Sequence, residues 1–154
     1  MSEQKTQFNL VQLGNVANTC TCFNLRKATR VVTQIFDEQL KPSGLLITQF
    51  TILVAIAQTG SGTINDLAAR LVMDRTTLTR NLKPLEREGL VIIQPGEDRR
   101  IRVVSLTAKG RDALATALPL WEQAQASVIN RLGKQQWSSL LMALSNTVSL
   151  AQEI

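Results

Sequence analysis

Between Thr63 and Leu106 the local signals follow one another so closely that few folds can hold them. Thr63-Ile64-Asn65-Asp66 opens like a capping box, with an acid at the third helical position in place of the usual Glu, and predicts a short helix from Ile64 to Leu71. Val72-Met73 is a tight link. Asp74 is a favourable N-cap for a second helix to about Glu88, with Leu78, Leu82 and Leu85 facing inward. Gly89 stops that helix as the glycine just past its end. Leu90–Gln94 and Ile101–Leu106 are strand-like, and Pro95–Arg100 is a turn between them, so the pair predicts a two-stranded hairpin. Two helices joined by a tight turn and followed at once by a hairpin make a winged helix-turn-helix.

The flanks are helical. Leu25, Ala28, Val31, Val32, Ile35, Phe36 and Leu40 recur at three- and four-residue steps, which predicts a helix from about Val16 to Leu40, ended by Lys41-Pro42-Ser43-Gly44. Residues 1–10 read as a polar tail. Thr48 is the expected cap of a helix through Gln58, broken by Thr59-Gly60-Ser61-Gly62. Thr107 caps a long helix to about Leu132, with a kink expected at Pro119. A last amphipathic helix follows Gly133, from Lys134 to Gln152. Pro84 predicts a bend in the third turn of the helix that starts after Asp74.

The fold class is thus mainly α with a small β-wing, on one domain spanning 1–154. Residues of about 45–110 form the winged part, and about 10–42 and 111–154 form a helical part. The end helices carry long apolar faces on a chain of this size, which calls for a partner to cover them and predicts a homodimer through the N- and C-terminal helices.

Hydrophobic residues make up 44% and charged residues 19%, which excludes a disordered tail and a membrane protein. The longest apolar runs, such as Ile52–Ala57, are too short to span a bilayer. Met-Ser-Glu-Gln-Lys-Thr-Gln has no apolar signal core, so a cytoplasmic location is expected. The chain contains no histidine and no tyrosine and only two cysteines, so the commonest general base and the usual zinc sets are missing. Neither an enzyme nor a cofactor is expected.

Charge is concentrated. Arg70–Arg111 holds ten Lys and Arg against five Asp and Glu, a surplus equal to the +5 of the whole chain. A positive field focused on one third of an otherwise near-neutral chain suits a phosphate backbone, although a basic solvated face would give the same count.

The helix that begins after Asp74 offers Arg75, Thr76, Thr77, Thr79, Arg80 and Lys83 on its first turns. In a helix-turn-helix the second helix places its N-terminal residues in the major groove. There Arg reads guanine O6 and N7 with two bonds, and Thr bonds a base edge or touches a thymine methyl. The turn of the hairpin holds Asp98, Arg99 and Arg100. An arginine on a thin wing enters a narrow minor groove, where the negative potential is strongest. Asp98 is placed to brace the Arg100 guanidinium through a paired bond. Taken alone, the threonines could only cap their helix and the wing tip could be an ordinary charged turn; their order along the chain argues for DNA.

These segments together resemble the multiple antibiotic resistance regulator (MarR) family over about residues 16 to 152. The marks are Thr48-Gln49-Phe50, Leu67-Ala68, Thr77-Leu78-Thr79-Arg80, Leu85-Glu86-Arg87-Glu88-Gly89-Leu90-Val91, Asp98-Arg99-Arg100, and Val104-Ser105-Leu106-Thr107-Ala108-Lys109-Gly110. The resemblance implies a homodimer whose two winged heads face successive major grooves of a pseudo-palindromic operator in double-stranded DNA. It implies a repressor released by a small molecule or an oxidant, with Arg100 as the minor-groove arginine and Asp98 as its partner.

Cys22-Phe23 stands where the organic-hydroperoxide-sensing branch of that family has its reactive cysteine, so a thiol-based peroxide sensor acting through Cys22 is the alternative reading. A thiolate at a helix N-terminus near Arg26 or Lys27 is stabilised and oxidises readily. The branch also uses tyrosines around that cysteine; here Arg26, Phe36 and Ile47 stand at the matching positions. The competing reading of Cys20 and Cys22 is apolar packing near the dimer interface. On one helix the two would point about 200° apart, against a disulfide between them. A small aromatic or phenolic effector between the dimer frame and the reading head is the other expectation.

Overall fold

A computed structural model of the protein describes residues 9–152. The chain divides into two compact units, the first ending at Ile35 and the second starting at Phe36. The expected polar tail lies outside the described residues except at its end, where Asn9 caps and Leu10 begins a helix.

In the first unit, α1 (Leu10–Thr19) is capped by Asn9, whose side chain accepts from the N–H of Val11 at 3.0 Å. The single helix expected from Val16 is in fact broken at Cys20, which is extended (φ −66°, ψ 114°) and separates α1 from α2 (Thr21–Leu40). Asn24 fixes this corner. Its amide donates to the carbonyl of Ala17 at 3.3 Å, near the end of α1, and to that of Cys20 at 2.9 Å, which also accepts the backbone N–H of Asn24.

The second unit is built on α3 (Ile47–Thr59), β1 (Ser61–Thr63), α4 (Ile64–Arg70), α5 (Arg75–Arg87), β2 (Val91–Pro95), β3 (Arg102–Leu106), α6 (Ala108–Leu132) and α7 (Lys134–Ser149). A short 3-10 turn, Lys41–Ser43, leads into it, and Gly44 takes the left-handed conformation that closes that turn.

Helix α3 starts one residue before the expected cap Thr48. Its first orphan donors are met otherwise: Asp37 accepts from the N–H of Ile47 at 2.7 Å, and Gln49 accepts from the N–H of Leu46 at 3.0 Å. Helix α4 begins as expected at Thr63, whose hydroxyl accepts from the Asp66 N–H at 3.0 Å. Both α4 and α5 end in the same two-bond motif, in which the residue past the cap is left-handed. At α4 the N–H of Met73 bonds Ala68 and that of Val72 bonds Ala69. At α5 the N–H of Leu90 bonds Leu85 and that of Gly89 bonds Glu86. Helices α5 and α6 continue through Pro84 and Pro119.

The expected two-stranded hairpin is a three-stranded antiparallel sheet in the order β1-β3-β2. Val91 faces Leu106 and Pro95 faces Arg102 across the wing, while Ser61 faces Ser105 and Thr63 faces Val103 on the other side of β3. The core of this unit gathers Leu53 and Ile56 of α3, Leu67 of α4, Leu78, Leu82 and Leu85 of α5, Val91, Val104 and Ala117. The three leucines of α5 are 0% exposed, so one face of that helix is fully committed to the core and the other to solvent.

Candidate DNA-binding surface

Helix α5 is held at both ends. At its start Asp74 accepts from the N–H of Thr77 at 2.8 Å and from its hydroxyl at 2.5 Å. These bonds, the hydroxyl one first, hold the Asp74 carboxyl below the usual aspartate range. At its end Lys109 donates to the carbonyl of Glu88 at 2.7 Å, and Thr107 donates to that of Gly89 at 2.6 Å. Thr107 also caps α6, accepting from the N–H of Gly110 at 3.0 Å. The segment Thr107–Gly110 therefore joins the end of α5 to the start of α6.

Of the candidate residues on α5, Arg75, Thr76, Thr77, Arg80 and Lys83 are exposed and Thr79 is half-buried. Their hydroxyls are not equivalent. Thr77 gives its proton to Asp74 and Thr79 gives its proton to the carbonyl of Arg75 at 2.7 Å, which leaves both with only lone pairs and a methyl for a base. Thr76 precedes both, exposed on the first turn.

The wing turn is closed by the N–H of Gly96 on Ile101 at 2.8 Å and that of Ile101 on Asp98 at 2.9 Å. Asp98 does not brace a guanidinium as expected. Its carboxylate accepts from the backbone N–H of Arg100 at 2.9 Å, the local bond an aspartate makes two residues on in a turn. This shapes the tip and leaves Arg99 and Arg100 exposed.

Sequence reasoning missed Arg102 and Asn65. With Thr63, Arg75 and Arg100 they line one depression between α5, the wing and the start of α4. The missing signal was β1: once Thr63 pairs with Val103, the start of α4 lies beside the base of the wing.

The cysteines lie in the first unit. Cys22 is exposed in the first turn of α2, and Cys20 is half-buried and accepts weakly from the N–H of Phe23, with Sγ 3.5 Å away. The opposed orientation expected of two residues on one helix does not apply, because Cys20 belongs to the break. Lys27 lies over the Phe23 ring, 5.3 Å from its centre.

In the second unit two open clefts meet at Leu118. One, of about 250 Å³, is lined by Phe50, Thr51, Val54 and Trp121; the other, of about 370 Å³, by residues including Ala57, Leu106, Arg111 and Leu114. Phe50 and Trp121 stack with ring centres 6.2 Å apart.

Known proteins share this architecture. The model of the MarR family matches residues 45–101. The M. tuberculosis transcriptional regulator MosR, in a crystal structure in complex with DNA, is 42% identical, with a TM-score of 0.80 over 87% of this chain and 97% of that one. The chain belongs to the MarR family. Among curated relatives, the uncharacterized HTH-type transcriptional regulator YwoH of Bacillus subtilis is 32% identical over 83 residues, 54% of this chain and 61% of YwoH. The chain thus spans about three fifths of the length of the first curated relatives it matches. An E. coli MarR mutant complexed with operator DNA is 21% identical and shares the fold, with a TM-score of 0.77 over 86% of this chain and 96% of that one. Among the described residues no single helix is long and apolar enough to cross a membrane.

Proposed function

We propose that the protein is a sequence-specific regulator of transcription that binds double-stranded DNA as a homodimer, acts as a repressor in the cytoplasm, and is released by a small molecule or an oxidant. One observation carries this reading: a helix buried on one face presents Arg75, Thr76, Arg80 and Lys83 on the other, with Arg99 and Arg100 at the tip of a wing in the same unit. Residues of about 45–110 are the reading head. Within it Arg75, Thr76, Thr77, Thr79, Arg80 and Lys83 enter the major groove, Arg99 and Arg100 meet the minor groove, and Asp98 shapes the tip that carries them. The helical residues of about 10–42 and 111–154 form the dimer. Helix α1 buries none of its residues and exposes Leu10, Val11, Leu13 and Val16; α7 likewise buries none and exposes Leu140, Leu141, Met142 and Val148. Apolar surface of this extent is covered by a partner.

The test is selection of bound duplexes from a random pool, with the oligomeric state measured in parallel. An inverted repeat with half-sites about one helical turn apart is the expected product, because a two-fold dimer reads a two-fold site. A monomer that enriches no sequence would overturn the proposal.

Two observations bear on release. Cys22 is exposed in the first turn of α2, which favours oxidation as the signal. The stacked Phe50 and Trp121 beside an apolar cleft favour a small aromatic or phenolic effector. Titrating the protein–DNA complex with an organic peroxide decides between them: release that disappears in Cys22→Ser supports the thiol, and equal release in both proteins rules it out.

A further inference from the structure

We propose that the depression lined by Asn65, Arg75, Arg100 and Arg102 is a seat for one phosphate of the DNA backbone, and that Arg102 is a phosphate-binding residue of the protein. The proposal rests on the DNA-binding reading above. A helix in the major groove and a wing in the neighbouring minor groove straddle one sugar–phosphate strand, because a single strand separates the two grooves. That strand has to cross the surface between α5 and the wing, and this depression occupies that surface.

The charge there fits a phosphodiester. Of the three guanidiniums that line the depression, Arg75 and Arg100 are assigned above to the two grooves, which leaves Arg102, the first residue of β3, for the phosphate between them. Among the described residues no carboxylate lines it, and the three acids within two residues of its lining keep their charge but turn their oxygens to local donors. Asp66 accepts from the Thr63 hydroxyl at 2.7 Å, Asp74 from Thr77, and Asp98 from the N–H of Arg100. Guanidinium forks match phosphate oxygens, and the Asn65 amide adds a neutral donor. The pairing of Thr63 with Val103 holds the Asn65 side of the seat against the Arg102 side, so the seat exists before DNA arrives.

A phosphate contact carries no sequence information but sets the salt dependence. The test uses a duplex selected from the random pool and measures affinity between 50 and 200 mM KCl for the wild type, Arg102→Gln and Arg102→Lys. Each lost phosphate contact flattens the log–log salt slope by about 0.9, so a dimer with two seats becomes shallower by about 2 in Arg102→Gln. The selected base preference and the thermal midpoint stay unchanged, and Arg102→Lys keeps the wild-type slope. A second measurement places single uncharged methylphosphonate linkages along the duplex: one position per half-site weakens the wild type and has no added effect on Arg102→Gln. An unchanged slope in Arg102→Gln, a changed base preference, or no sensitive linkage in the wild type would overturn the seat. Failure of the wild type to select any duplex would instead overturn the DNA-binding reading itself.

Discussion

Val72 and Gly89 occupy the same position at the ends of successive helices, each left-handed (φ 52° and 73°) and each flanked by the same pair of backbone bonds, yet only one of them is a glycine. A β-branched residue in that conformation brings Cβ close to the following carbonyl, at a cost of about 1–2 kcal/mol. Val72 is 60% exposed, so little packing offsets this cost. Val72→Gly therefore raises stability by about 1 kcal/mol, with Val72→Asn close behind, measured by chemical denaturation with an unchanged m-value. A loss of stability in both variants would show that the turn does not strain its valine.

Gly110 sits at the opposite extreme. It is buried in the first turn of α6, and a Cβ there would lie 2.0 Å from the carbonyl oxygen of Leu90. Backbone cannot step aside as a flexible side chain does, so Gly110→Ala forces α6 away from the end of α5. The expected loss is about 3 kcal/mol, the upper part of the range for overpacking. Urea unfolding measures it, and a loss under about 0.5 kcal/mol would contradict the close approach.

The cap of α5 has a pH signature. The folded-state pKa of Asp74 is depressed, so its contribution is present above the unfolded aspartate value of about 3.9 and is lost as pH falls through the lower folded value. Asp74→Ala lowers the thermal midpoint at pH 7, and the gap from the wild type narrows at acid pH below about 4. Melting curves across this range check it; a gap independent of pH would assign the cap to something other than the charged carboxylate.

Binding separates the helix from the wing. Arg100→Ala weakens operator affinity by roughly tenfold or more at fixed salt. Arg80→Ala relaxes the preference for particular bases, as expected of a side chain at the major groove. Competition binding with single-base-substituted duplexes reads both, and equal affinity of Arg100→Ala and the wild type would remove the wing from the interface.

Most of the winged part is legible in the chain because its signals are local. Asp74 and Gly89 bound α5 in the sequence as they do in the fold, and Thr107 likewise starts α6. What escaped depends on partners distant in sequence or on residues that carry no punctuation. Ser61-Gly62-Thr63 has no strand pattern and is extended by pairing with β3, more than forty residues away. The break at Cys20 involves neither proline nor glycine, and Asn24 secures it from the next helix. Asp37 caps α3 from ten residues upstream, where local reasoning points to Thr48. The carboxylate of Asp98 turns to the backbone N–H of Arg100, and sequence spacing alone does not distinguish that from a side-chain brace.

The union of α5 and α6 at Thr107–Gly110 has a mechanical side. Helix α6 has 25 residues and so reaches about 37 Å at 1.5 Å per residue. Its near end is fixed to the carbonyls of Glu88, Gly89 and Leu90, just past α5, by Lys109, Thr107 and the close approach of Gly110. Such a rod ties its own position to that of α5. Because Ala117 and Trp121 also seat α6 on the core of the second unit, a sideways push on the helix is expected to carry that core with it, with no rearrangement of the wing required.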